Sequence, residues 1–145
     1  MINSFSGEYE FLSNFYPSKI QPDGPMSYPT VEHYFQGCKA ETIDDFYPIF
    51  AAKTPGEAKR LGKRVRLRKD WEMVKEEYML KGLRAKFAIP ELREKLLATG
   101  DEELVEGNTW GDTYWGVCNG VGQNKLGKLL MQVREEIKNA DLYSR

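Results

Sequence analysis

The chain has 145 residues, of which 41% are hydrophobic and 30% are charged. This balance is typical of one soluble globular domain and excludes a disordered chain. The formal net charge is -1, from 21 basic and 22 acidic residues, so we expect no global attraction to nucleic acid, although a local basic patch is compatible with it. No apolar run is long enough to span a membrane and the N-terminus lacks a signal-peptide pattern, so we expect a cytoplasmic protein.

The scarcity of soft ligands argues against a metal site. The chain has one histidine, and its two cysteines, Cys38 and Cys118, lie far apart and outside any CxxC motif. These are too few ligands for zinc, and free thiols are the expected state. No GxxxxGK[ST] motif marks a phosphate-binding loop, and we expect neither a metal nor a cofactor.

The first thirty residues place aromatic side chains between turn-forming residues, which predicts short strands and loops, with a turn over 21–27. Thr30 is then predicted to cap a helix that ends near Ala40. The apolar face of this helix is spaced i, i+3, i+4, i+7 and consists of Val31, Tyr34, Phe35 and Cys38.

A polar stripe borders that apolar face. It consists of Glu32, Gln36 and Lys39, again at helical spacing, and we expect it to be half-buried. His33 is expected to point toward solvent, which makes histidine-based acid/base catalysis improbable.

The middle of the chain predicts two short helices. The first covers 44–52, and Pro48 is expected to break or kink it. Thr54 and Glu57, with a proline between them, form a capping box that starts the second helix, which ends near Lys63.

Three further helices complete the predicted elements, over 70–87, 90–100 and 124–138. The apolar stripe of the last one consists of Leu126, Leu129, Leu130, Val133 and Ile137. Together the elements predict a mainly α-helical (α+β) fold. We expect residues 1–145 to form a single compact helical domain with a few short strands.

The segment 108–123, NTWGDTYWGVCNGVGQ, combines Trp110, Trp115 and Asp112 with a tyrosine and several glycines. Glycine lets the backbone turn sharply and approach a ligand closely, and indole rings offer flat faces for stacking. This composition suits a pocket for a flat heterocycle or a sugar. It suits equally a loop whose aromatic side chains fill the core.

Carboxylates are the remaining candidates for acid/base catalysis. Glu32 borders an apolar helical face, Asp112 lies in the aromatic loop, and Glu106 just precedes it. If Glu32 and Asp112 met in one pocket, they could divide the acid/base work of glycosidic-bond cleavage. A hydrogen-bonded helix edge explains the spacing of Glu32, Gln36 and Lys39 as well. The basic run over 59–69 would attract a phosphate group, although a solvated basic face is the more common outcome.

Six segments, in the same order along the chain, resemble the NADAR superfamily, also called the YbiA-like family. They are FLSNFYP at 11–17, YPTVEHYFQGCKA at 28–40, PGEAKRLGKRV at 55–65, MLKGLRAKF at 79–87, LLATGDEELVEGN at 96–108 and DTYWGVCNGVGQNKLGKLLMQVR at 112–134.

The resemblance implies a largely α-helical N-glycosidase. It further implies one of two activities: hydrolysis of early riboflavin-pathway intermediates to ribose 5-phosphate and a free aminopyrimidine or aminouracil, or removal of ADP-ribose from modified guanine in nucleic acid.

The motif positions that carry over by resemblance are Glu32, Asp112, Asn14, Lys39, Lys59, Trp115, Gly116 and Asn124. The catalytic roles of Glu32 and Asp112 are inferred from the chemistry of glycosidic-bond cleavage. The resemblance does not decide which of Glu32 and Asp112 is the general acid and which is the general base. In the mechanism we expect Trp115, with Trp110 or Phe15, to stack on the base, and Lys39 and Lys59 to hold phosphate. Gln36 completes the predicted substrate-binding set.

Near-neutral net charge modestly favours a small phosphorylated ribosyl heterocycle over ADP-ribosylated nucleic acid as the partner, because extended nucleic-acid contact rests on many neutralised phosphates. No membrane partner is expected. A module that binds ADP-ribose or a related nucleotide without cleaving it is the alternative from another class, and a regulatory protein with a vestigial pocket is a third.

Overall fold

The computed structural model describes residues 1–143. These residues form six α-helices, one 3-10 helix and two strands of two residues each, a mainly helical content as predicted. The chain divides into two compact units, one formed by Asn14–Lys86 and the other by Met1–Ser13 with Phe87–Arg145. Within residues 1–143, no helix has the length and apolar character needed to cross a membrane.

The unit Asn14–Lys86 is built around its first helix. This helix, α1 (Val31–Cys38), contacts all three of the others, α2 (Ile43–Phe50), α3 (Pro55–Gly62) and α4 (Trp71–Lys86). Because it has neighbours on three sides, α1 is buried nearly all round. Its polar residues are therefore more buried than an amphipathic surface helix would make them.

A threonine precedes each of α1, α2 and α3 and caps it in the same way. Its hydroxyl oxygen accepts a hydrogen bond from the backbone N–H three residues later, which satisfies one otherwise unpaired donor of the first turn. The distances are 3.1 Å from His33 to Thr30, 3.3 Å from Asp45 to Thr42 and 3.1 Å from Glu57 to Thr54. The predicted caps at Thr30 and Thr54 are confirmed.

Of the two outcomes expected at Pro48, a break in α2 is wrong, and a kink stays a prediction. The helix continues through Pro48 to Phe50. Proline at this position removes one helical hydrogen bond. The next residue, Ile49, is fully buried in a cluster with Ala52 and Ala58, and this burial holds the last turn in place.

The other unit holds the 3-10 helix Gly7–Leu12, α5 (Pro90–Ala98) and α6 (Lys125–Tyr143). The strands β1 (Gly107–Asn108) and β2 (Val117–Cys118) pair in parallel at the base of the aromatic loop. They bring together the two ends of the segment 109–116, the part of the loop that contains Trp110, Asp112 and Trp115.

The prediction of short strands in the first thirty residues is wrong. Within that segment the structure has the 3-10 helix and isolated bridges, one from Ile2 to Leu104 and one from Ile20 to Tyr28. The second bridge closes the predicted turn over 21–27, where Gly24 has a φ of 64°. Aromatic residues there pack without forming an extended ladder, and this is why β-propensity misled the prediction.

Candidate active site

Helix α1 brings two of the predicted site residues into direct contact. Glu32 and Gln36 are one turn apart, and the side-chain amide of Gln36 donates a hydrogen bond of 2.8 Å from Nε2 to Oε1 of Glu32. Their exposed fractions are 7% and 5%. A carboxyl group this buried needs hydrogen-bond donors to remain ionised, and Gln36 supplies one.

The oxygen end of Gln36 lies against Gly62, in the last turn of α3. A Cβ at Gly62 would overlap Oε1 of Gln36 and lie 2.8 Å from its Cδ. Oε1 is buried and has no hydrogen-bond partner within residues 1–143. Gly62 was missed by the sequence predictions. A glycine inside a predicted helix was the available signal, because glycine there costs about 1 kcal/mol relative to alanine.

Asn14 lies at the N-terminal end of α1. Its backbone carbonyl accepts a hydrogen bond of 3.1 Å from the N–H of Glu32. Its side-chain Nδ2 donates to the sulfur of Met79 at 3.4 Å. Asn14 Oδ1 is buried and, among the described residues, has no hydrogen-bond partner.

A cluster of lysines surrounds the C-terminal end of α1. Burial lowers the pKa of Lys39 below its ordinary value; the charge of Glu32 opposes this shift, and the charges of Lys59, Lys63 and Lys75 add to it. Mutually repelling cations held this close favour an anionic group that would relieve the repulsion.

Phe15 is grouped with this cluster. The ammonium of Lys59 lies 5.9 Å from the centre of its ring, and 40% of the Phe15 side chain is exposed. Two of the predicted substrate-binding residues, Phe15 and Lys59, therefore lie close together in the unit Asn14–Lys86.

In the other unit, Asp112 shapes the aromatic loop. Its Oδ1 accepts hydrogen bonds from the backbone N–H groups of Tyr114, at 3.1 Å, and Trp115, at 2.9 Å. Asn108 binds the same residue twice: its Oδ1 accepts from the N–H of Asp112 at 3.0 Å, and its Nδ2 donates to the Asp112 carbonyl at 2.9 Å. Asn108 was not among the predicted site residues, although it opens the loop.

Two predicted substrate-binding residues hold the base of this loop. A Cβ at Gly116 would overlap the Glu106 carboxylate and backbone carbonyl. Asn124, at a φ of 52°, accepts at Oδ1 from the N–H of Glu106 at 3.0 Å and donates from Nδ2 to the Leu104 carbonyl at 2.9 Å. Both therefore bring the Glu106 segment against the residues that precede α6.

The loop tryptophans differ in burial. Trp115 is half-buried and packs edge-on against Tyr114, with ring centres 4.9 Å apart. Trp110 is 60% exposed. Neither indole lies in the hydrophobic core, so the alternative in which both merely fill the core is not supported.

His33 is the clearest error in the predicted burial. It was expected at the surface but is only 1% exposed. Nδ1 lies 2.8 Å from the Thr30 hydroxyl, and Nε2 lies 2.9 Å from the carbonyl of Ala52. A carbonyl can only accept, so Nε2 carries a proton. Both ring nitrogens of His33 therefore make hydrogen bonds within the fold.

The predicted site residues thus form two groups. The first group, in Asn14–Lys86, contains Asn14, Phe15, Glu32, Gln36, Lys39 and Lys59, and the second, in the other unit, contains Trp110, Asp112, Trp115, Gly116 and Asn124. The pairing of Glu32 with Asp112 stays a prediction. Within residues 1–143, no three His, Cys, Asp or Glu side chains form a group that could hold a metal ion.

Comparison with known proteins identifies the family. A model of the NADAR domain matches residues 3–138. The chain is 46% identical over 140 residues to N-glycosidase YbiA of Shigella flexneri, a match covering 92% of this chain and 85% of that protein. It is 40% identical over 144 residues to the chloroplastic riboflavin biosynthesis protein PYRR of Zea mays, covering 87% of this chain and 23% of that protein.

The NMR structure of the E. coli protein YbiA matches with a TM-score of 0.85 and 41% sequence identity, covering 98% of this chain and 89% of that chain. This similarity confirms the predicted mainly α (α+β) fold. The identity to proteins named N-glycosidase confirms the predicted enzyme class, an N-glycosidase. The chain belongs to the NADAR domain family.

Proposed function

We propose that the enzyme hydrolyses the bond between a phosphorylated ribose and the exocyclic nitrogen of a heterocycle, with an early riboflavin-pathway aminopyrimidine or aminouracil ribosyl phosphate as substrate. The observation that carries the proposal is the buried Glu32–Gln36 pair on α1, the helix that Lys39 directly follows. It combines a fixed carboxylate with cations, the two features that a cationic sugar transition state and a phosphate group require.

In the proposed reaction, the bond from the anomeric carbon to nitrogen breaks and its electron pair goes to nitrogen. One of Glu32 and Asp112 steadies the positive charge on the sugar and takes a proton from the attacking water. The other donates a proton to the departing nitrogen. One water is consumed, and ribose 5-phosphate and the free base are released.

Asp112 enters this proposal with one oxygen already used. Its Oδ1 accepts two backbone hydrogen bonds in the loop, so Oδ2 is the atom that would act on the substrate. Trp115, with Trp110 or Phe15, provides the aromatic faces for the base; Trp110 is 60% exposed and Phe15 is 40% exposed. In this proposal the loop supplies Asp112 and Trp115, and helix α1 supplies Glu32.

The lysine cluster is assigned to the substrate phosphate. A phosphate near Lys39 and Lys59 would be paired with two cations whose mutual repulsion it offsets. Gly116 and Asn124 hold the loop from which Asp112 and Trp115 project. Asn14, whose backbone carbonyl binds the Glu32 N–H, adds a buried acceptor, Oδ1, for a hydroxyl or N–H of the substrate.

The similarity to a riboflavin biosynthesis protein from Zea mays supports the substrate class. So does the even charge balance of the chain, because tight binding to nucleic acid normally rests on many neutralised phosphates.

The test is product analysis with purified protein and two substrates assayed in parallel, the aminopyrimidine ribosyl phosphate and DNA carrying ADP-ribosylated guanine. We expect free base and ribose 5-phosphate from the first, with turnover lowered by about a hundredfold or more in Glu32→Gln. Faster release of ADP-ribose from DNA would mean that ADP-ribosylated guanine, and not the aminopyrimidine ribosyl phosphate, is the substrate. Recovery of both ligands bound but intact would make the protein a binding module.

A further inference from the structure

We propose that Gln36 and Gly62 are positioning residues that hold Glu32 as an ionised carboxylate. Of the two acids, Glu32 is then the one that stabilises the sugar cation and activates water. This inference rests on the proposed function, because it gives Glu32 its side of the reaction. Gln36 was predicted to touch substrate; its contacts point to a different task.

The first step of the argument concerns the charge of Glu32. Only 7% of the residue is exposed, and burial alone favours the neutral acid. The N–H donated by Gln36 at 2.8 Å favours the charged form instead, because it pairs with a full negative charge. An amide does not titrate, so this donor is present at every pH at which the protein is folded.

The second step concerns the orientation of the Gln36 amide. If the amide were turned over, Oε1 would face the Glu32 carboxylate and two acceptors would repel each other. Gly62 allows the observed orientation because the space that a Cβ would fill is taken by the Gln36 side chain. The oxygen end occupies that slot on α3, and the nitrogen end is directed at Glu32.

The third step concerns the other charges around the pair. Lys39, directly after α1, interacts with Glu32, and three further lysines interact with Lys39: Lys59 on α3, Lys63 directly after α3, and Lys75 on α4. The positive charge of Lys39 also favours an ionised Glu32 carboxylate. A carboxylate held in this state can accept a proton from water and stabilise a cation, but it has no proton to donate.

The test of positioning uses steady-state kinetics of Gln36→Met, which keeps the length of the side chain and removes the donor. We expect kcat to fall by about 10–100-fold, by analogy with the loss typical when a partner that orients a metal-binding side chain is removed, with KM changed less than twofold. A raised KM with unchanged kcat would show that Gln36 contacts substrate and would overturn the inference.

Gly62 provides the matched control through a double-mutant cycle. Gly62→Ala in the wild type should displace the Gln36 side chain and reduce kcat, whereas the same substitution in Gln36→Ala should have little further effect, because the slot is already empty. Equal effects of Gly62→Ala in both backgrounds would mean that the two residues act independently. Thermal unfolding of each variant identifies any that lose activity by unfolding.

A second readout does not depend on any substrate. The side-chain carboxyl carbon of Glu32, followed by ¹³C NMR, should report a carboxylate at pH 7 in the wild type. In Gln36→Met it should titrate at higher pH. Identical titrations would overturn the inference even in an active enzyme. If the titrations differ but the wild type cleaves neither substrate, the proposed function fails and the positioning of Glu32 stands.

Discussion

The two predicted catalytic acids are supported by different kinds of structure. Glu32 lies on a helix that packs against three others, and a neighbouring side chain binds its carboxylate. Asp112 lies in a glycine-rich loop, and its carboxylate binds the backbone of that loop. Replacing Glu32 should therefore affect chemistry with little effect on folding, whereas replacing Asp112 should affect both.

The largest effect is expected at Glu32. We expect Glu32→Gln to lower kcat by about a hundredfold or more, the contribution typical of a positioned general acid or base. Stability should change little, because the amide matches the carboxylate in shape and can still accept the Gln36 hydrogen bond. Turnover assays and thermal unfolding measure the two effects. Unaltered turnover in a folded variant would remove Glu32 from the mechanism.

The base of the loop should be the next most sensitive point. A Cβ at Gly116 would overlap Glu106 and lie 2.7 Å from Nδ2 of Asn108. Because backbone atoms are among those it meets, we expect Gly116→Ala to destabilise the protein by about 1–3 kcal/mol, the usual effect of overpacking. Denaturant unfolding measures it. Gly111→Ala is a contrasting variant, because a Cβ there meets no atom within 4 Å and only its φ of 85° opposes the change.

Two substitutions at Asp112 separate its structural role from its chemical one. Asparagine keeps an oxygen that can accept from Tyr114 and Trp115, and alanine does not. We expect Asp112→Ala to be less stable than Asp112→Asn by about 1–3 kcal/mol, from two hydrogen bonds of about 0.5–1.5 kcal/mol each. Both variants should lose turnover. A fully active Asp112→Asn would leave Asp112 a purely structural residue.

The smallest effect concerns the lysine cluster and pH. Because the pKa of Lys39 is lowered from its usual value, its ammonium loses its proton at a lower pH than an ordinary lysine. The KM for a phosphorylated substrate should therefore rise by a few-fold as pH increases through that lowered pKa. Arginine stays protonated throughout, so Lys39→Arg should abolish the rise. An identical pH profile in both proteins would exclude Lys39 from phosphate binding.

Local rules predicted much of the fold. The threonine caps and the apolar stripe of α6 depend on residues within a few positions of one another, and both are present. Of the predicted capping box, the Thr54 half is present, whereas the Glu57 carboxylate accepts from the N–H of Lys53, one residue before the cap. The burial of His33 could not be predicted in this way. It depends on a carbonyl nineteen residues later and on helices that enclose α1.

The candidate site was predictable in part for the same reason. Helical spacing placed Glu32 beside Gln36, and their hydrogen bond follows from it. The space that Gly62 leaves for the Gln36 side chain depends on how α3 packs on α1. The spacing of residues along one helix does not predict how two helices pack. The loop contacts of Asp112 are local but depend on backbone turns that composition alone does not define.

The most direct test of the central claim, that one reaction uses both carboxylates, is a double-mutant cycle on kcat with Glu32→Gln, Asp112→Asn and the combined variant, using the aminopyrimidine ribosyl phosphate. Groups that act as a unit in one chemical step show strongly non-additive losses. We predict that the combined variant is little slower than the slower single variant. A combined loss equal to the product of the two single losses would contradict the account.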